Sequence, residues 1–160
     1  MTVTASSPTS TRDRHYMQMA ERLAWRGCGN VEPNPMVGCV ILSADGRVVG
    51  QGYHRRFGGP HAELNALEQA GELAAGGTAY ITLEPCGHSG KTPPCTEALI
   101  RADIARLVID RRDPHPDAAG GIDQLHDAGI EITVLDDFDA PALRAADRFI
   151  HSVINKRPWV

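Results

Sequence analysis

The sequence predicts an α/β protein, a three-layer α/β/α sandwich around a five-stranded mixed sheet. Two observations predict it. Apolar runs of strand length alternate with segments of helical periodicity, the pattern of a sheet covered by helices on both faces. The first two strand-like runs are joined by Ser43-Ala44-Asp45-Gly46, whose Asp-Gly is a hairpin signal, while each later run is followed by a helix. One antiparallel hairpin followed by crossovers makes a mixed sheet.

The elements follow in order. Arg12 to Arg26 carries Tyr16, Met19, Ala20, Leu23 and Ala24 at helical spacing, and Gly27 and Gly29 end it. Asn34 stands between Pro33 and Pro35, which fix the loop on either side of one amide; the segment reads either as a turn or as a rigid platform for a ligand. Met36–Leu42 and Arg47–Tyr53 are the two hairpin strands, with Cys39 as a small core residue. A basic, Gly-rich loop from His54 to Pro60 leads to a helix from about His61, with Leu64, Ala66, Leu67 and Ala70 on its packed face and His61 and Glu63 pointing out of its first turn. Thr78–Leu83 is the third strand. Pro94 suits the first position of a helix running from Cys95 to Ala102. Ile104–Asp110 is the fourth strand, Asp113-Pro114-His115-Pro116 a rigid loop, Ile122–Ala128 a short helix and Ile130–Leu135 the fifth strand. Ala140 to Ile154 closes the chain as a helix.

At 160 residues the chain suits one domain, spanning 12–160, and no linker or repeat divides it. A chain of that size buries roughly 70% of its unfolded surface without staples. The Ser- and Thr-rich residues 1–11 read as a disordered tail and lack the layout of a secretory signal, so the expected location is cytoplasmic. A net charge of −4 argues against a nucleic-acid partner, and no apolar run approaches the ~20 residues of a membrane span.

The chemistry concentrates in His61, Glu63, Cys86 and Cys95. His61 and Glu63 begin one expected helix, Cys86 follows the next strand and Cys95 begins the helix after it. Strand carboxyl ends and helix N-termini are where ligands collect in open α/β sheets, and a helix N-terminus also favours the thiolate that a metal needs. His61, Cys86 and Cys95 thus make a three-ligand zinc site with an open position, and Glu63 is the proton carrier for a water activated there. The competing reading is a closed four-ligand site completed by His54 or His88, which leaves Glu63 without a role. The order H-x-E…P-C is that of zinc nucleobase deaminases, except that here eight residues separate the cysteines. Such a site replaces a ring amine by a carbonyl and releases ammonia, with no organic cofactor.

These motifs resemble a known family. Pro33-Asn34-Pro35-Met36-Val37-Gly38-Cys39-Val40, Gly52-Tyr53-His54, His61-Ala62-Glu63, Thr82-Leu83-Glu84-Pro85-Cys86, the run from Cys86 through Lys91-Thr92-Pro93-Pro94-Cys95, and Asp113-Pro114 are similar to the pyrimidine deaminase domain of riboflavin biosynthesis. The resemblance implies a cytidine deaminase-like fold. It implies hydrolysis of 2,5-diamino-6-(5-phosphoribosylamino)pyrimidin-4-one to 5-amino-6-(5-phosphoribosylamino)uracil. It also implies Zn2+ on His61, Cys86 and Cys95, catalysis by Glu63, and substrate contacts from Asn34, His54, His88, Lys91 and Asp113, with Lys91 suited to the phosphate. His115 stands where the family usually has Asn, and Ala119-Gly120-Gly121 lacks the family's basic residue and is one residue shorter. Both changes fall where specificity is set, so a same-fold deaminase for another aminopyrimidine or nucleotide, as in natural-product synthesis, stays open. So does a non-catalytic zinc-stabilised module, against which Glu63 speaks. Many members continue into a reductase domain where this sequence reaches Val160, so a nicotinamide-dependent step is not assigned to it and a separate reductase is one candidate partner. Exposed sheet edges and the resemblance favour a homodimer or larger assembly.

Overall fold

The computed structural model describes residues 10–87, 94–115, 120–135 and 144–157. In chain order they form helix α1 (Thr11–Trp25), strands β1 (Gly38–Leu42) and β2 (Val48–Tyr53), helix α2 (Ala62–Ala70) running into a 3-10 turn (Gly71–Ala74), β3 (Thr78–Leu83), α3 (Cys95–Arg101), β4 (Arg106–Arg111), α4 (Gly121–Asp127), β5 (Glu131–Val134) and α5 (Asp147–Asn155). The sheet order is β2-β1-β3-β4-β5. β1 is antiparallel to β2 and β3, whereas β3, β4 and β5 are parallel, so the expected mixed sheet forms.

Strand periodicity sorts the core into two layers. Cys39, Ile41, Ala79, Ile81, Leu107 and Ile109 face α2, α3 and α4, where they meet Ala62, Ala66, Leu99 and Leu125. The alternate residues Val40, Leu42, Tyr80 and Val108 meet Met17, Ala20 and Leu23 of α1. The approach to α5 lies on the α1 side, where Ala145 packs with Ala24, Val31 and Met36. Both helix layers sit close to the sheet because the strands carry glycine at the contacts. A Cβ on Gly50 or Gly52 of β2 would lie 2.3 or 2.4 Å from the Ala66 or Ala62 carbonyl oxygen of α2. That close seat fixes the N-terminal end of α2, and with it His61 and Glu63, against the sheet.

Several expected boundaries move. Helix α1 starts at Thr11, inside the expected tail, because the Ser10 hydroxyl accepts the Asp13 N–H at 3.0 Å and caps it; residues 1–9 lie outside the described residues. Pro94 is the cap before α3 and not its first residue: its backbone is extended, and the next N–H, that of Cys95, is taken by Cys86 Sγ at 3.4 Å. The closing helix begins at Asp147 and not Ala140, of which 140–143 lie outside the described residues. Asp147 accepts the Arg144 N–H at 2.9 Å, so the chain turns before the helix begins. Arg144 pairs with buried Asp110 at 3.0 Å, and Arg111 pairs with Asp147 at 3.1 Å, tying this segment to β4.

A second ionic group joins α1 to the sheet. Asp13, 4% exposed, takes Arg106 through both carboxylate oxygens at 2.9 Å and accepts the Tyr80 hydroxyl at 2.8 Å. Burial raises the Asp13 carboxyl, but the bonds from Arg106 and Tyr80 outweigh it and hold the group below its ordinary value. A carboxyl depressed in the folded state contributes stability above its unfolded pKa and loses it as pH falls. Asp13→Ala is expected to cost about 3 kcal/mol, the low end for breaking a buried ion pair, since Arg106 keeps Thr133 and Glu131 as partners. Denaturant unfolding at pH 7 measures the loss, and the gap to the parent narrows as pH falls below about 4.

Candidate active site

The carboxyl end of β3 and the N-terminal ends of α2 and α3 meet at one cavity of about 340 Å³. Asn34, His54, His61, Glu63, Cys86, Asp113 and His115, scattered over more than 80 residues of sequence, all line it. Cys95 lies behind the wall, with its sulfur 3.2 Å from His61 Nδ1. Cys86 Sγ is 3.7 Å from the same nitrogen. The three ligand atoms all fall within 4.8 Å of one another, and they are the only such cluster among the described residues. His88 and Lys91 lie outside the described residues.

The donor set of one imidazole nitrogen and two sulfurs suits zinc, and three protein donors leave a position open. His54 does not join the cluster. Its Nδ1 lies 3.0 Å from the Pro60 carbonyl, which can only accept, so the proton sits on Nδ1. Nε2 then accepts from the Asn34 amide at 3.3 Å. Burial pushes His54 below its usual pKa and keeps it neutral. The closed four-ligand reading therefore loses His54, and its other candidate, His88, is not among the described residues.

The two thiols divide their roles. Hydrogen bonds from Cys95 and His61 push the Cys86 thiol down to about 4, so it is a thiolate at neutral pH. Cys95, buried and bonded to that thiolate, is pushed up. The Cys86 thiolate in turn raises His61. The neck of the loop between the cysteines is closed by backbone bonds: Cys95 N–H to Cys86 Sγ and Thr96 N–H to the Cys86 carbonyl, both at 3.4 Å.

Glu63 is buried, at 3% exposure, and does not point out of the first turn as the sequence suggested. Its Oε2 is buried without a hydrogen-bond partner among the described residues. Burial raises its pKa. A carboxyl beside a metal-type cluster, raised toward neutrality, is suited to take up and return protons.

Sequence reasoning missed several wall residues, Glu84 and Phe149 among them. Glu84 lines the cavity, and its Oε2 accepts the Asp113 N–H at 3.0 Å, while Asp113 Oδ1 accepts the His115 N–H at 2.8 Å. Its place at the strand end was the available signal. Phe149 reaches the cavity from α5, and nothing in its own segment separates it from a core residue.

Residues 10–110 match the model of the cytidine and deoxycytidylate deaminase zinc-binding region. The chain is 49% identical over 149 residues to the chloroplastic riboflavin biosynthesis protein PYRD of Arabidopsis thaliana, a match that covers 92% of this chain and 34% of that protein. The chain thus spans about a third of that relative's length. It is 48% identical over 124 residues to the diaminohydroxyphosphoribosylamino-pyrimidine deaminase of Buchnera aphidicola, covering 77% of this chain and 84% of that one. The solved structure of Acinetobacter baumannii RibD superposes with a TM-score of 0.83 at 45% identity, over 92% of this chain and 41% of that one.

Proposed function

This chain belongs to the cytidine and deoxycytidylate deaminase zinc-binding family, among the pyrimidine deaminases of riboflavin biosynthesis, and we propose that it hydrolyses 2,5-diamino-6-(5-phosphoribosylamino)pyrimidin-4-one to 5-amino-6-(5-phosphoribosylamino)uracil and ammonia. The observation that carries this reading is the cluster of His61, Cys86 and Cys95 with the buried, unpartnered Glu63 oxygen in the same site.

His61, Cys86 and Cys95 hold the zinc, which when bound supplies the Lewis acidity that brings the pKa of a water to around 7. Glu63 takes one proton of the water at Oε2 and gives it to the ring nitrogen as the hydroxyl adds to the ring carbon. It then carries the remaining hydroxyl proton to the exocyclic amine, so that the exocyclic C–N bond breaks, the carbonyl forms and ammonia leaves. Neutral His54 holds the Asn34 amide in place, and Asn34 orients the ring through the rest of its hydrogen-bonding capacity. Asp113 and His115 form a further part of the wall, steadied through Glu84. Val37, Leu83 and Phe149 make the remaining surface apolar, which excludes water from the proton path. His88 and Lys91 complete the substrate contacts, and Lys91 binds the phosphate.

The proposal extends to action as one domain, in a homodimer or larger assembly, in the cytoplasm and without nucleic acid. No helix of the described residues is long and apolar enough to cross a membrane.

Ammonia release tests the reading. The purified protein is expected to turn over the riboflavin intermediate and to leave cytidine and deoxycytidylate largely untouched; the reverse preference would refute it. One observation favours a second reading: His115, in place of the family's Asn, lines the cavity. If the substrate is the riboflavin intermediate, His115→Asn retains or improves kcat/KM on it. If the chain acts on another aminated pyrimidine, the change harms that reaction and leaves the riboflavin one poor.

A further inference from the structure

A single side-chain amide joins the residues that follow the two cysteines. Gln124 of α4 accepts the Thr96 hydroxyl through Oε1 at 3.0 Å and donates through Nε2 to the Gly87 carbonyl at 3.0 Å. Gly87 follows Cys86, and Thr96, fully buried, follows Cys95. The amide can span them because α4 enters against the loop with no side chain between. A Cβ on Gly121 would lie 2.5 Å from the Pro85 carbonyl oxygen, and one on Gly87 would lie 2.8 Å from Gly121 Cα. Gln124 stands three residues beyond that contact, so its reach is set by backbone packing.

We propose that Gln124 is a positioning residue that fixes the spacing of Cys86 and Cys95 for zinc; the inference rests on the zinc reading above. A rigid α3 carries Cys95, but Cys86 stands on a strand exit followed by a long loop. Two backbone bonds, at 3.4 Å each, tie Cys86 to the start of α3, and Gln124 adds a side-chain tie one residue further on. The Gln124 bridge holds the Gly87 end at a set distance from α3 and lowers the cost of bringing both sulfurs to one ion. Groups bonded to a ligand side chain typically contribute about 10- to 100-fold in metal affinity; Gln124 bonds the residues next to the ligands, so its expected share is about the lower figure. Gln124 is itself exposed, so its replacement opens no core.

The test is zinc affinity, read by competition with a chromophoric chelator on metal-stripped protein, with melting temperatures of the stripped and zinc-loaded forms. Gln124→Ala is expected to weaken zinc binding about 10-fold. It should shrink the melting-temperature gain on adding zinc while leaving the stripped form near the parent. Gln124→Glu keeps the size and the acceptor for Thr96 but sets a carboxylate oxygen against the Gly87 carbonyl, so it loses affinity too. Thr96→Ser keeps the hydroxyl and binds zinc as the parent does, whereas Thr96→Val does not. A Gln124→Ala protein that binds zinc as tightly as the parent overturns the inference alone. Equal melting losses in the stripped and loaded forms, with affinity unchanged, overturn it as well, since they mark a purely structural bond. A parent that takes up no zinc overturns both this inference and the proposed function.

Discussion

Cys86→Ser leaves a folded protein with little zinc and little turnover. Cys86 is the thiol that the site already holds ionised, pushed down to about 4 by Cys95 and His61. A serine hydroxyl at the same place is not ionised at neutral pH and is a poor partner for a borderline-soft metal. The loss of zinc affinity is expected to exceed the ~100-fold upper figure for partners that lie beyond the ligands. Cys86 is only half-buried, so the fold tolerates the change. Metal content by atomic emission, measured beside ammonia release, checks the expectation. Stripping the parent with a chelator should reproduce the loss, and added zinc should restore the parent but not the variant. Full zinc occupancy in Cys86→Ser would sink the ligand assignment.

Glu63→Gln has the second large effect, and it separates chemistry from binding. Gln matches Glu in length and keeps an acceptor oxygen, but it cannot carry a proton between water and substrate. Zinc stoichiometry is expected to remain near one per chain, while kcat falls by about 10²–10⁴, the span of general acid-base catalysis. KM should change far less, because the side chain meets the reacting atoms and not the distal arm of the substrate. Near-parent turnover in this variant would assign the proton to another group.

The strands were legible because their side chains alternate between two helix layers. Thr78–Leu83 has the expected limits, and burial on both faces goes with apolar side chains at successive positions Ala79, Tyr80 and Ile81. Convergence of His61, Cys86 and Cys95 was legible for a related reason: each stands at a strand exit or a helix start, and parallel strands with crossovers gather those points at one end of the sheet. The burial of Glu63 was not. Helical periodicity gave its turn an outward face, but Gly50 and Gly52 let α2 sink onto β2, and the first turn went in with it. Gln124 was equally hidden. On its own helix it reads as a surface residue, and its partners exist only where two glycines from distant segments let backbones touch. The start of α5 was misjudged because an alanine-rich approach continues the helical pattern that Asp147 in fact begins.

The closed neck of the cysteine loop has a consequence for engineering. Cys95 N–H meets Cys86 Sγ and Thr96 N–H meets the Cys86 carbonyl, so the join is made by ligand residues and their immediate neighbour. None of those bonds draws on residues 88–93. The six positions from 88 to 93 lie between these anchors in sequence, so replacing them leaves both anchoring bonds available. Segments of other lengths and charges, grafted between Gly87 and Pro94, should redirect which pyrimidine arm is recognised while the metal chemistry beneath is kept. A library randomised there should be rich in zinc-loaded, folded members, and one randomised at Gly87 or Gly121 should not.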